Sequence, residues 1–144
     1  MIIGCGNADR GDDRAGLLVA RRLRALGVEA LEQSGEAAGL LETWKTVPAG
    51  QPVIVVDAVV TGSPPGSIFR WAASAARLSM GSPGCSTHGF GVAEAVELAR
   101  ALGRLPQDLL IYGIEGARFE PGAEPSAEVL RAVDELAGRI AQEV

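Results

Sequence analysis

The strongest constraint on the fold lies in the middle of the chain. Residues 53–60 read Val-Ile-Val-Val-Asp-Ala-Val-Val. The run is rich in β-branched residues and shows no polar and apolar alternation. It therefore predicts a central strand that is apolar on both faces and covered by helices on each side. One carboxylate, Asp57, interrupts it.

Around this strand, β-rich and helical runs alternate. Residues 2–5 predict a short first strand. Residues 13–26 predict a helix, with Ala15, Val19, Leu23 and Leu26 on one stripe and Gly27 at its stop. Residues 28–33 predict a second strand and 37–46 a short helix. The sequence Thr-Gly-Ser-Pro-Pro-Gly at 61–66 predicts a turn, and 67–71 alternate like a half-exposed strand. Residues 72–89, rich in Ser, Ala and Gly, predict no regular element, and irregular stretches of that length are often functional. Residues 90–102 predict a helix with Val92, Ala95, Val96, Ala99 and Leu102 inward and Glu94, Glu97 and Arg100 outward. Residues 108–114 predict another buried strand. Ser126 is expected to cap a last helix whose apolar stripe is Val129, Leu130, Val133, Leu136, Ala137 and Ile140. Strands alternating with helices give the α/β class, an α/β/α sandwich on a mainly parallel sheet. The turn at 61–66 is too short for a crossover, so 67–71 is the antiparallel exception. No repeat or linker divides the chain, and residues 1–144 are read as one domain.

Composition excludes several classes of function. Apolar residues make up 47 % of the chain, too many for a disordered one. Aromatics are only 4 %, so Ala, Val, Leu and Ile must build the core. The 19 glycines imply tight turns or close backbone approaches. A net charge of −5 argues against a nucleic-acid or anionic-membrane partner. No apolar stretch is long enough to span a bilayer, and the amino terminus has no basic region of the kind a signal peptide carries. Cys5 and Cys85 are too few for a disulfide framework and read as reduced thiols, which predicts the cytoplasm.

In open α/β sheets, ligands collect at the carboxyl ends of the parallel strands. Asp57 lies there, poorly solvated after four apolar residues, and reads as a metal ligand or catalytic carboxylate, or else as an acceptor of backbone N–H groups in a turn. Asp12 and Asp13 open a helix. A capping or dipole role explains one of them and leaves the other for chemistry. His88, the one histidine, precedes a helix with an inward face. An imidazole and two carboxylates at one edge suit a borderline divalent metal such as Zn²⁺ or Ni²⁺. Glu115 follows the last strand. Cys85, three positions before His88, reads as a small filler, Cys5 as packing, and Arg21, Arg22 and Arg24 as a solvated helix face. Competing motifs are absent or incomplete. Gly4-x-Gly6 lacks the third glycine of a dinucleotide fingerprint, and there is neither a P-loop nor a Gly-x-Ser-x-Gly elbow.

Three motifs stand in order: Gly4-Cys5-Gly6-Asn7-x-x-x-Gly11-Asp12-Asp13, Val53 to Val59 around Asp57, and Ser86-Thr87-His88-Gly89-Phe90-Gly91. With Tyr112-Gly113-Ile114-Glu115-Gly116, they make the chain resemble the [NiFe]-hydrogenase maturation endopeptidases over nearly its whole length. The resemblance implies a three-layer α/β/α sandwich with a five-stranded mixed sheet and an antiparallel edge strand. It implies a cytoplasmic, monomeric endopeptidase that removes the C-terminal extension of a hydrogenase large-subunit precursor after nickel insertion. The nickel in the precursor is the recognition element, and Asp13, Asp57 and His88 are its implied ligands. Other divalent metals are expected to substitute. The chain departs from the family pattern at Arg14, where Gly is usual, and at Ser34-Gly35-Glu36, where many members carry Gly-Gly-Thr. No nucleophile–base pair is evident, so the expected mechanism is metal-assisted hydrolysis through those three residues. The alternative is a non-catalytic nickel-binding or chaperone module that uses the same ligands. Only the endopeptidase predicts a shortened product.

Overall fold

The computed structural model describes residues 1–73 and 90–144. Of the features read from the sequence, Cys85, His88 and nearly all of the irregular stretch 72–89 lie outside the described residues. Five strands form one sheet: β1 (Ile2–Cys5), β2 (Leu31–Gln33), β3 (Val53–Val59), β4 (Ile68–Ala72) and β5 (Leu109–Glu115). Four helices accompany them: α1 (Ala15–Ala25), α2 (Ala37–Trp44), α3 (Phe90–Ala101) and α4 (Ala127–Glu143). The strand order is β2-β1-β3-β5-β4, with every neighbouring pair parallel except β4 and β5. The expected sandwich with one antiparallel edge strand is the observed one.

All seven residues of β3 are buried. Ile54, Val56 and Ala58 enter a core with Val19 and Leu23 of α1 and Val133 and Leu136 of α4. Val53 and Val55 point the other way, into a core with Leu40 of α2 and Val96 of α3. The sequence lacks alternation there because both faces of the strand are covered.

Helix α1 lies directly on the backbone of β1 and β3. Gly4 and Gly16 face each other with no side chain between them. A Cβ at Gly16 would stand 2.7 Å from Cys5 N and nearer still to the carbonyl oxygens of Cys5 and Val56. This contact fixes where the chain leaving β1 can run.

Several details differ from expectation. The predicted helix at 13–26 begins as a single 3-10 turn, Gly11–Arg14, and its α-helical part stops at Ala25. Strand β2 spans three residues rather than six. Gly27 turns the chain at φ +85°, and Val28 N returns to Leu23 O, so residues 28–30 belong to the exit from α1. Leu26 and Leu102 fall just past the ends of their helices and are exposed. Leu130 is exposed too. The buried stripe of α4 runs through Val129, Ala132, Val133, Leu136, Ala137 and Ile140, and Leu130 sits one residue, about 100°, off it. Arg21 and Arg24 are not simply solvated, because both clasp Glu32 of β2. Among the described residues, no helix is long and apolar enough to cross a membrane.

Candidate active site at the carboxyl edge of the sheet

The chain leaves β1 toward β2 on one side and returns to β3 on the other. The carboxyl ends of β1 and β3 therefore flank the point where the strand order reverses, the usual ligand crevice of such sheets. Asp57 comes from β3, and Asp12 and Asp13 from the loop after β1. Glu115 is the last residue of β5 rather than the first beyond it. A cavity of about 920 Å³ lined by Met1, Ile2, Leu31 and Val144 lies at the opposite, amino edge, away from these groups.

The hydrogen-bond environment divides the four carboxylates into two kinds. Asp12 is fully buried and satisfied. It accepts from Ala117 N at 2.7 Å, Arg118 N at 2.9 Å, Ser126 N at 2.6 Å, and Ser126 Oγ at 2.9 and 3.1 Å. Burial alone would raise its pKa, but the N–H donors of Ala117, Ser126 and Arg118 outweigh burial and hold the carboxyl below its usual value. Ser126 does precede α4, but its hydroxyl goes to Asp12 and makes no helix cap. Neither Asp occupies the N-cap position, which is Arg10, but both lie in the first turn as the dipole reading expected, and the Asp12 carboxylate is directed to a distant loop.

Glu115 is satisfied in the same manner. Its carboxylate accepts from Thr61 Oγ1 at 2.6 Å, Thr61 N at 2.9 Å and Gly62 N at 3.3 Å, which ties down the turn between β3 and β4. Among the described residues no other carboxylate accepts from this turn, so Glu115→Gln should cost about 1–3 kcal/mol. The check is a lower denaturant midpoint at unchanged slope.

Asp57 is of the other kind. It is 5 % exposed, and among the described residues it accepts one hydrogen bond, from Ala58 N at 2.9 Å. Burial pushes its carboxyl well above the ordinary value, and the charge of Asp13 pushes in the same direction. Asp13, half-buried, is therefore within electrostatic reach of Asp57. The register of β1 on β3 pairs Gly4 with Val56, which sets Cys5 beside Asp57 one residue on. The Cys5 thiol is raised by burial, then by Asp57 and Asp13. Nothing in the residues around Cys5 marked it as a member of this group.

Other singled-out residues frame the edge. Arg14 reaches Glu124 at 3.7 Å. Glu36 is exposed on the loop after β2. Helix α3 enters at the same edge, where Gly91 lies so close to Gly35 O that no Cβ would fit. Small residues at 35 and 91 were the available signal for that contact. His88 and Cys85 lie outside the described residues. Among the described residues, no three His, Cys, Asp or Glu side chains form a metal-binding group.

Comparison with known proteins identifies the family and supports the fold. The family profile for hydrogenase maturation protease matches residues 37–143, about three quarters of the chain and including β3 with Asp57. A [NiFe] hydrogenase maturation protease HycI from Thermococcus kodakarensis superposes with a TM-score of 0.71 at 27 % identity, over 98 % of this chain and 88 % of that one. The hydrogenase maturating endopeptidase HybD from E. coli gives 0.73 at 21 % identity, over 96 % and 87 %, and so supports the fold. No curated protein sequence matches significantly. A profile match of that extent, on a sheet that carries its acidic residues at the reversal of strand order, places the chain in the hydrogenase maturation protease family.

Proposed function

We propose that this protease removes the C-terminal extension of a [NiFe]-hydrogenase large-subunit precursor once nickel is in place. The nickel arrives with the precursor and is what the enzyme recognises, with Asp13, Asp57 and His88 as its ligands. The protein acts in the cytoplasm as a monomer. The observation that carries the reading is the contrast among the carboxylates. Asp12 and Glu115 are saturated by N–H and O–H donors, while Asp57 is buried with one donor among the described residues and feels the charge of a second acid. A buried carboxylate beside a second acid is costly, and a cation held there would offset that cost. Two hard oxygen donors at a strand edge, with an imidazole, fit a borderline divalent ion.

Bound there, nickel would supply Lewis-acid polarisation of the scissile carbonyl or a more acidic water. The chain's own residues do the rest. Asp57 comes from a strand locked on both faces, so its carboxylate is held rigidly at the edge. Asp13 sits on a turn pressed against the same edge. Burial, and then the negative charge of Asp13, raise the Asp57 carboxyl well above its ordinary value, and a bound cation would favour its charged form.

The test is incubation with nickel-loaded and nickel-free precursor, read by intact mass. Loss of a C-terminal peptide from the loaded form alone is the expected result. Nickel-dependent association with no change in mass would replace the protease reading with a nickel-binding carrier. Processing by His88→Ala at the parent rate would remove His88 from the ligand set.

A further inference from the structure

We infer that Asp12 is the positioning residue of this site and that it acts by holding Asp13 in place. The inference rests on the reading of Asp13 as a ligand. All the donors to the Asp12 carboxylate lie more than 100 residues away along the chain, in the loop from β5 to α4. The carboxylate is therefore a cross-link between two loops at the carboxyl edge and not a cap of its own turn. Asp12 N adds a bond to Arg118 O at 2.6 Å. Two further links run between the same loops: Gly122 N to Asp9 O at 2.7 Å, and Arg10 Nε to Phe119 O at 3.3 Å. Gly11, at φ +53°, lets the turn approach that loop, where a Cβ would meet Arg118 and Ala123.

Asp13 is the next residue of the same 3-10 turn. Successive side chains in such a turn point about 120° apart. Asp12 takes the direction of the 117–126 loop. Asp13 takes one from which its charge acts on both Asp57 and Cys5. The turn has no side-chain cap of its own. The hydrogen bonds that grip Asp12 tie this turn to the distant loop, and so help to set where Asp13 stands. The Ser126 hydroxyl serves this grip rather than its own helix.

The test compares the affinity of each variant for nickel-loaded and nickel-free precursor. The ratio of the two affinities reports engagement of the metal, and general weakening of the fold lowers both affinities together. Asp12→Asn keeps the size but turns an amide N–H₂ on the converging donors. It should reduce the nickel-dependent gain by about 10-fold, the usual scale for residues that orient a ligand. Ser126→Ala keeps the carboxylate and the backbone donors. It should reduce the gain by about 3-fold, and it decides the matter if Asp12→Asn does not fold. Both effects should vanish in an Asp13→Asn background, because residues acting through one another are not additive. Leu136→Ala, in the α4 core, should lower stability and leave the ratio at the parent value. A parent-like ratio in both the Asp12 and Ser126 variants, or effects that multiply with Asp13→Asn, would overturn the assignment. A parent with no nickel-dependent gain overturns the metal reading itself, and this assignment with it; the parent's two curves alone reveal that case.

Discussion

Asp57→Asn should cut nickel-loaded precursor at least ~10³-fold more slowly than the parent, a loss of several kcal/mol of the stabilisation that a charged ligand contributes. The same variant should be more stable than the parent. Burial, and then the charge of Asp13, raise the Asp57 carboxyl well above its ordinary value. The folded state therefore retains a proton that the unfolded chain releases near pH ~4. The favourable contribution of this group is complete below about pH 4 and is lost as pH rises toward the folded-state pKa. Asn does not titrate, and its amide can still accept from Ala58 N. The stability advantage of Asp57→Asn should be near zero around pH ~4 and grow steadily as pH rises toward neutral. Asp12 has the opposite sign. Its lowered pKa adds stability above pH ~4 that is lost as pH falls, but it is present in both proteins and cancels in the difference. The measurement is Tm against pH for the pair, beside the cleavage rate. A variant less stable than the parent at neutral pH would show that Asp57 is a structural carboxylate like Asp12.

The second large effect concerns the contact that seats α1. Gly16→Ala should cost about 3 kcal/mol or more, and Gly16→Val should prevent folding at 37 °C. The atoms that the new Cβ would meet are backbone, Cys5 N at 2.7 Å with the carbonyl oxygens of Cys5 and Val56, and they belong to two strands of one sheet. Neither strand can give way without breaking the β1–β3 pairing. The internal control is Gly138→Ala in α4. A Cβ there meets nothing within 4 Å, so the change should stabilise by about 0.5–1 kcal/mol through helix propensity alone. Denaturant midpoints for the two substitutions should therefore move in opposite directions from the same Gly-to-Ala chemistry. A loss below 1 kcal/mol at Gly16 would mean that α1 does not rest on the strand backbones.

Much of the architecture was legible in the residues because it rests on local information. Continuous β-branched character marked β3 as covered on both faces, and the Pro-Pro-Gly turn required an antiparallel β4. Helical periodicity gave α3 and α4, with errors confined to Leu102, just past a helix end, and Leu130, one residue off a stripe. The meeting of Asp13 and Asp57 at one edge was legible as well, from the motifs that carry them, while His88 lies outside the described residues. The division of labour among the acids was not. Asp12 and Asp13 are chemically identical neighbours, and Asp57 and Glu115 both lie toward the carboxyl ends of buried strands. Only the tertiary structure separates them, because it alone determines how many N–H and O–H donors converge on each carboxylate. The donors to Asp12 come from Ala117, Arg118 and Ser126, and those to Glu115 from Thr61 and Gly62. A sequence states that a carboxylate is present. Whether that carboxylate anchors a loop or remains under-satisfied beside a second charge depends on segments that fold against it from far along the chain.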